Sequence, residues 1–258
     1  MNLSVILIVR NESANLDECL RSVAGAKELV IVEHGSSDNT LEIAAAHGAK
    51  SWSTPDWPGF GPQKNRALDM ASCDWVLSLD ADERITPELL QEMQIAIKSG
   101  QADAYEIPRL TQFCGEWIRH CGWTPDHVLR LFKREKARFS NDRVHEKLVM
   151  MDPLDRVLRL KSTLLHYSYP TPAHYWAKLQ RYSRDWALQQ YQRGRRTSIW
   201  RAAASGAFAF IRSYFFRLGF LDGGMGFVVC TLQAQAAFGK YFELYWLNQH
   251  HDQSNSKI

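Results

Sequence analysis

The chain has 258 residues, 45% of them hydrophobic and 23% charged, a balance that excludes a disordered polypeptide, a collagen and a coiled coil. Folding at this length buries roughly 70–75% of the surface an unfolded chain exposes, so no staple is required, and five scattered cysteines without a Cys-x-x-Cys pair fit a reducing, cytoplasmic compartment. The net charge of +3 hides a polarity: residues 1–150 carry 17 Lys and Arg against 22 Asp and Glu, whereas residues 151–258 carry 14 against 6, so the C-terminal part is expected to meet an anionic partner, a membrane surface or nucleic acid.

Leu3–Val9 is a continuous apolar run with no basic residue before it, and it predicts a first strand and not a leader. Asn15–Ala24 places Leu16, Cys19, Leu20 and Val23 at helical spacing. A second apolar run, Glu28–Val32, ends in the polar turn Glu33–Asp38, and Thr40–His47 resumes a helix that Gly48 can close. Ser51–Trp52 predicts a short strand, Pro55–Pro62 a loop, Gln63–Ala71 a helix, and Trp75–Leu79 a buried strand that stops at Asp80-Ala81-Asp82. Repeated strand-then-helix units imply a mainly parallel, Rossmann-like α/β sheet whose ligands bind at the carboxyl ends of the strands. After a helix over Pro87–Lys98 the pattern changes to short strands at Ala104–Pro108, Val128–Lys133 and Lys147–Met151. From Pro172 the chain turns helical, aromatic and basic, over His174–Gly194 and Ser198–Leu218, so a domain boundary is expected near residue 170. The longest charge-free stretch, Gly223–Gly239, holds seventeen residues including four glycines, short of the roughly 20 apolar residues that span a bilayer.

The sharpest chemical signal is Asp80-x-Asp82, followed by Glu83, at the mouth of a buried strand. Two carboxylates so placed can reach a hard divalent cation, Mg²⁺ or Mn²⁺, which completes its shell with water and substrate phosphates. The alternative is a solvated acidic turn. In the Glu33–Asp38 turn a carboxylate could accept a bond from a nucleobase N–H, although capping of the next helix by Ser36, Ser37 and Asp38 explains the same residues. Lys64 and Arg66 supply positive charge beside a glycine loop, and Asn65 could bond a base or ribose. His120 and His127 near Cys114 and Cys121 read as structural histidines, because the cysteine spacing suits no closed zinc site.

With these sites together the sequence resembles the inverting glycosyltransferases of family 2. The matching segments are Ile8-Val9-Arg10-Asn11-Glu12, Gly35-Ser36-Ser37-Asp38-Asn39-Thr40, Lys64-Asn65-Arg66-Ala67-Leu68 and Leu79-Asp80-Ala81-Asp82-Glu83. Further on, Gly122-Trp123, Arg130–Arg134, Val144–Leu148 and Gly219–Gly223 resemble the branch that transfers glucose onto the inner core of bacterial lipopolysaccharide. The resemblance implies a GT-A fold for a catalytic domain over residues 1–170, with the nucleotide-sugar half over about 1–100 and the acceptor half over about 101–170. A helical region over 171–258 would contact acceptor or membrane. It implies that Arg10, Glu12, Glu33, Lys64, Asn65, Asp80, Ala81 and Asp82 face the nucleotide, with Asp82 the metal ligand and Asp80 nearer the ribose or donor sugar. Trp123, Arg130 and His145 would meet the acceptor. Glu33 stands where relatives usually place an aspartate that reads uracil, and it reaches one methylene farther.

Inversion at an anomeric carbon needs a base for the attacking hydroxyl, and Glu146 is the candidate, with Asp80 as the second catalytic residue. The expected partners are UDP-glucose or another UDP-sugar, a lipid-linked lipopolysaccharide core, a divalent cation and the anionic cytoplasmic face of the inner membrane; no nucleic-acid module accompanies the basic end. Trp200, Ala203, Ala204, Ala207, Phe208, Ile211, Tyr214, Phe215 and Leu218 recur at helical spacing beside Arg201, Arg212 and Arg217. That stripe suits either a helix packed against a domain or one lying in a membrane interface. A sugar-phosphate nucleotidyltransferase and a non-catalytic scaffold are the rival readings of the whole chain.

Overall fold

The computed structural model describes residues 1–140 and 147–255, with side chains to residue 250. The chain forms two units, Met1–Leu110 with Asp126–His166, and Thr111–Pro125 with Tyr167–Ile258.

In chain order the first unit begins β1 (Leu3–Val9), α1 (Leu16–Ser22), β2 (Glu28–Glu33), α2 (Thr40–Ala46), β3 (Lys50–Ser53), α3 (Phe60–Met70), β4 (Trp75–Ser78), β5 (Glu83–Ile85) and α4 (Pro87–Ser99). There follow β6 (Ala104–Phe113), β7 (Glu116–Ile118), β8 (Asp126–Lys133), β9 (Ala137–Phe139), β10 (Leu148–Met150), β11 (Val157–Arg159) and β12 (Leu164–Tyr169). Strands β3, β2, β1 and β4 are parallel neighbours. β8 then adds antiparallel to β4, and β6 antiparallel to β8, where the α/β repeat has ended. β5 pairs antiparallel with β12, and β9 with β10.

The continuous apolar character of β1 has a direct cause in the two covered faces of a parallel sheet. Val5, Leu7 and Val9 pack with Leu16, Leu20, Leu89 and Met93 of α1 and α4, while Ile6 joins Ala67, Leu68 and Phe132 on the α3 side. α3 starts at Phe60, ahead of the expected Gln63, because Pro62 falls in its first turn, where its missing N–H costs nothing. The strand β5 was not legible as a strand: Glu83 and Arg84 are buried there, and charged residues break an apolar run.

Glu28 ties the other end of this sheet together. Its carboxylate accepts from Ser4 Oγ (2.5 Å), Lys50 Nζ (2.7 Å), and Ser72 N (2.8 Å) and Oγ (3.1 Å), joining β1, β2, β3 and the turn before β4. Burial pushes this carboxyl up, but the bonds from Lys50, Ser4 and Ser72 outweigh it and lower the pKa from 4.5 to about 2. A depressed folded pKa contributes stability that is full above pH 4.5 and is lost as the pH falls toward 2. Glu28→Gln is therefore expected to cost about 2 kcal/mol at pH 7, with denaturant-unfolding midpoints of parent and variant converging as the pH falls through that window.

In the second unit Thr111–Phe113 of β6 pair with β7, and the helices are α5 (Pro172–Gln192), α6 (Ile199–Ile211) and α7 (Gly223–Asn255). Thr171 and Ser198 cap α5 and α6 by accepting from His174 N and Arg201 N. After α6 the chain widens into a π turn over Arg212–Phe216, places Leu218 in the left-handed region (φ 54°), and makes a 3₁₀ turn over Gly219–Asp222 before α7. The 3₁₀ turn is clamped from both sides. Asp222 accepts from His120 N (2.8 Å) and pairs with His120 Nδ1 (2.8 Å), and a Cβ on Gly226 would lie 1.9 Å from the Gly219 carbonyl oxygen. His120 thus holds Asp222, in keeping with its reading as a structural histidine.

Most of the aromatic stripe does not pack inward; Tyr214 does, against the cluster around Val229 and Cys230. α6 buries its small residues Ala202 and Gly206, and a Cβ on Gly206 would stand 3.2 Å from the Ala234 carbonyl oxygen of α7. This close crossing leaves Trp200 81%, Phe208 62% and Phe216 76% exposed. No single helix among the described residues is long and apolar enough to cross a membrane; Ile199–Phe216 and Gly219–His250 pass such a test only as a pair, bent by 73°.

Candidate active site

The turn from β4 to β5 carries Asp80, Ala81, Asp82 and Glu83. Its shape is held from within: the Asp80 N–H donates to Glu83 Oε2 (3.0 Å), the Glu83 N–H to the Asp80 carbonyl (3.0 Å), and Arg84 Nη1 to the carbonyls of Ala81 (2.7 Å) and Glu83 (2.9 Å). Glu83 is wholly buried, and its Oε1 takes Arg130 (2.8 Å) and Arg109 (3.2 Å). Arg130 also donates to Asp80 (2.5 Å), whose other oxygen faces Lys64 Nζ at 3.2 Å. Burial pushes the Asp80 carboxyl up, but the charges of Arg130 and Lys64 dominate and hold it far below the usual carboxylate range. Asp80 is therefore an anion at every physiological pH, unable to act as a proton donor. Arg130 is likewise pushed down by burial and, more strongly, up by Asp80 and Glu83, so it stays charged.

Asp82 is placed differently. Its carboxylate faces His166 of β12, with Nε2 3.2 Å from Oδ2, where β12 runs antiparallel to β5 with His166 opposite Glu83. Asp82 and His166 are 24% and 14% exposed. The Asp82 carboxylate suits a hard cation, Mn²⁺ or Mg²⁺, with open positions for phosphates and water, whereas the imidazole beside it is a ligand for a transition metal and not for Mg²⁺. Among the described residues no cluster of three or more His, Cys, Asp or Glu side chains assembles, and Asp82 with His166 is the pair at this turn that could hold a cation.

Lys64 is buried on α3, its ammonium 5.7 Å from the ring centre of Phe139. With Asp80, Arg109, Arg130, Phe139 and Lys147 it lines a cavity of about 400 Å³. Asn65 bonds both backbone groups of Phe139, donating to its carbonyl (2.9 Å) and accepting from its N–H (3.0 Å), so it fixes β9 against α3.

The turns after β1 and β2 are laced into one surface. The Asn11 N–H donates to Ser36 Oγ (3.1 Å), the Glu12 N–H to Thr40 Oγ1 (2.8 Å), and the Ser13 N–H to Asp38 (3.0 Å). Bonds from Thr40 and Ser13 bring the Asp38 carboxyl down to about 2. The expected cap on α2 becomes, in part, this staple: Asn39 at the cap position makes no side-chain bond, while Asp38 accepts from both Thr40 and Ser13. Glu12 accepts from Asn15 Nδ2 (3.1 Å), and Arg10 is exposed at the surface of the turn. Glu33 lies buried at the end of β2, beside Val9 of β1. Burial raises its carboxyl, but bonds from Ser36 and Ser53 outweigh that and lower it. The Ser36 N–H donates directly to Glu33 Oε1.

Of the other expected site residues, Trp123 belongs to the second unit, where it packs against Phe113 and Tyr169. Glu146 and His145 lie outside the described residues. His166, Arg109 and Arg84 escaped the sequence reading. No spacing connects His166 to Asp82; a lone histidine within Leu164–Tyr169 was the single visible sign.

Residues 4–151 match the family Glycosyl transferase family 2. The chain belongs to this family. Its fold is of the GT-A type: a mixed sheet with a parallel β3-β2-β1-β4 part, the acidic turn after β4 and a helical C-terminal region. An uncharacterized glycosyltransferase of Rickettsia typhi is 30% identical over 246 residues, 92% of this chain and 84% of the relative. The lipopolysaccharide core biosynthesis glycosyltransferase LpsC of Rhizobium meliloti is 31% identical over 251 residues, 92% of this chain and 89% of that one. Among solved structures, S. aureus TarS 1-349 aligns over 98% of this chain and 92% of its own at 15% identity, with a TM-score of 0.48. Like its relatives in family 2, this chain is a glycosyltransferase.

Proposed function

We propose that this family 2 enzyme transfers a hexose, glucose from UDP-glucose, with inversion onto a heptose of the lipopolysaccharide inner core, at the cytoplasmic face of the inner membrane. The observation that carries the reading is the division of labour in the acidic turn: Asp80 is locked to Lys64 and Arg130, while Asp82 faces His166. The likeness to LpsC across 92% of the chain supports the acceptor class.

In this reading Asp82 and His166 would hold a divalent cation, which when bound offsets the charge of the departing diphosphate. Lys64 adds a fixed positive charge beside the same carboxylate turn. Asp80, kept ionised, is proposed to accept from a hydroxyl of the ribose or donor sugar; it needs no proton of its own for that. Glu33 and the laced turns around Arg10 and Glu12 are proposed to receive the nucleoside, with Ala81 beside it in the acidic turn. Asn65 supports this pocket through Phe139. Glu146 is the proposed base for the attacking hydroxyl. Trp123 and His145 are proposed acceptor contacts, and Arg130 acts from behind Asp80.

The decisive experiment offers a panel of nucleotide sugars with purified core oligosaccharides, read by mass spectrometry of the acceptor and chromatography of the nucleotide. A gain of one hexose with release of UDP is expected. Release of pyrophosphate would identify nucleotidyl transfer, and no product with any donor would reject catalysis of this kind.

A further inference from the structure

The bend between α6 and α7 exposes what a soluble turn ordinarily hides. Phe215 (55%), Phe216 (76%), Leu218 (45%), Phe220 (45%) and Leu221 (56%) stand in solvent within seven residues of chain. Their exposure follows from the backbone: the π turn adds a residue to the helical circuit, Leu218 reverses the chain in the left-handed region, and the Gly219–Gly226 contact leaves no space inside for large side chains. An apolar cluster that the fold itself pushes outward marks a binding surface.

The charge around it selects the partner. From Trp186 to Leu221 the sequence contains six arginines and no carboxylate. The next acid, Asp222, is turned inward onto His120. Arg212 precedes the apolar cluster and Arg217 falls within it, and with Ser213, Gln233, Cys121 and Gly122 they line a cavity of about 210 Å³. Neither guanidinium has an ion-pair partner among the described residues. Gly122, at φ +80°, leaves room for Arg217 to lie across it, where a Cβ would meet its Cγ at 3.4 Å.

We propose that this bend is a one-leaflet insertion element: Phe215, Phe216, Leu218, Phe220 and Leu221 enter the acyl boundary of an anionic bilayer, and Arg212 and Arg217 seat a phospholipid phosphate in the cavity behind them. The proposal rests on, and refines, the membrane-borne acceptor of the proposed function. One arginine just before the apolar tip and one within it favour shallow insertion over a span, because two charged forks would otherwise cross the hydrocarbon, whereas at the headgroup level each bonds phosphate bidentately. The 73° bend gives the same picture, with the helices running back from the tip.

The test uses the full chain and vesicles of phosphatidylethanolamine and phosphatidylglycerol, with phosphatidylcholine vesicles as the neutral control. The tip variant Phe216→Ser with Leu221→Ser is expected to lose at least tenfold in vesicle-bound fraction at high salt. Arg212→Gln with Arg217→Gln is expected to lose the preference for anionic over neutral vesicles while keeping residual salt-resistant binding. Should the tip variant unfold, Phe216→Cys carrying an environment-sensitive dye, in a Cys114→Ser background, decides: its emission shifts to the blue on anionic vesicles, while dye at Leu154→Cys does not respond. Equal binding by parent and tip variant at high salt, or no dye response at position 216, overturns the proposal. So does a vesicle-independent dimer that the tip variant dissolves, which would assign the surface to a second copy of this chain. Transfer to lipid-free core oligosaccharide, measured on the same proteins, separates the two readings. Tip-dependent vesicle binding without any transfer rejects the transferase assignment alone, and tip-independent binding with normal transfer rejects the insertion alone.

Discussion

Asp82→Ala is expected to lower sugar transfer by about three orders of magnitude, since a cation that offsets charge on a leaving diphosphate contributes several kcal/mol to the barrier and each 1.36 kcal/mol is about tenfold in rate. The protein should still fold. Asp82 lies at the rim of the turn, 24% exposed, and the bonds that shape the turn run through Asp80, Glu83 and Arg84. His166→Ala should reduce transfer less, because the carboxylate remains as the charged ligand. Calorimetry of UDP with and without Mn²⁺ is the informative readout: the parent gains affinity with the metal, and Asp82→Ala does not. An equal gain in both proteins would remove Asp82 from the metal site, whatever happens to the rate.

Arg130→Met should cost about 3 kcal/mol of folding stability, near the low end for breaking a buried ion pair, and for a chain of this size that lowers Tm by roughly 6–12 °C. The reason is local. Glu83 is wholly buried and would keep Arg109 alone, while Asp80 would keep Lys64 alone. Arg130→Lys restores the charge but not the guanidinium that now reaches both carboxylates, so an intermediate loss is expected. The pH dependence distinguishes an electrostatic from a packing defect. Asp80 has a folded pKa well below its ordinary 3.8, so its stabilisation is complete above that value and declines as the pH falls beneath it. The gap in stability between parent and Arg130→Met should therefore narrow below about pH 4. A gap that is constant from pH 7 to pH 3 would show that only packing had been lost.

Both variants concern a turn whose acids are visible in the sequence and whose roles are not. Asp80 and Asp82 stand two residues apart, and spacing alone treats them as equivalent. The fold separates them by what it brings alongside: Arg130 from β8 and Lys64 from α3 to one, His166 from β12 to the other. Arg130 illustrates the same limit. The family resemblance implies an acceptor contact for it, and only its place on β8, antiparallel to β4, shows that its guanidinium pairs with Asp80 and Glu83.

By itself the sequence determined the architecture of the first hundred residues apart from β5, because apolar runs of strand length and helical spacing are local patterns set by burial on two faces of a sheet. It also determined the chemistry available at the strand ends: the acidic turn, Lys64 and the polar turn around Asp38. Only the tertiary structure decided which long-range partners those side chains meet, since antiparallel registers such as His166 opposite Glu83 join segments far apart in the chain. It decided equally that the aromatic stripe of α6 faces outward. Helical spacing shows that residues share a face but not which face is covered, and here the close crossing of α6 over α7, permitted by Ala202 and Gly206, took the interior for small residues and left the rings to the surface.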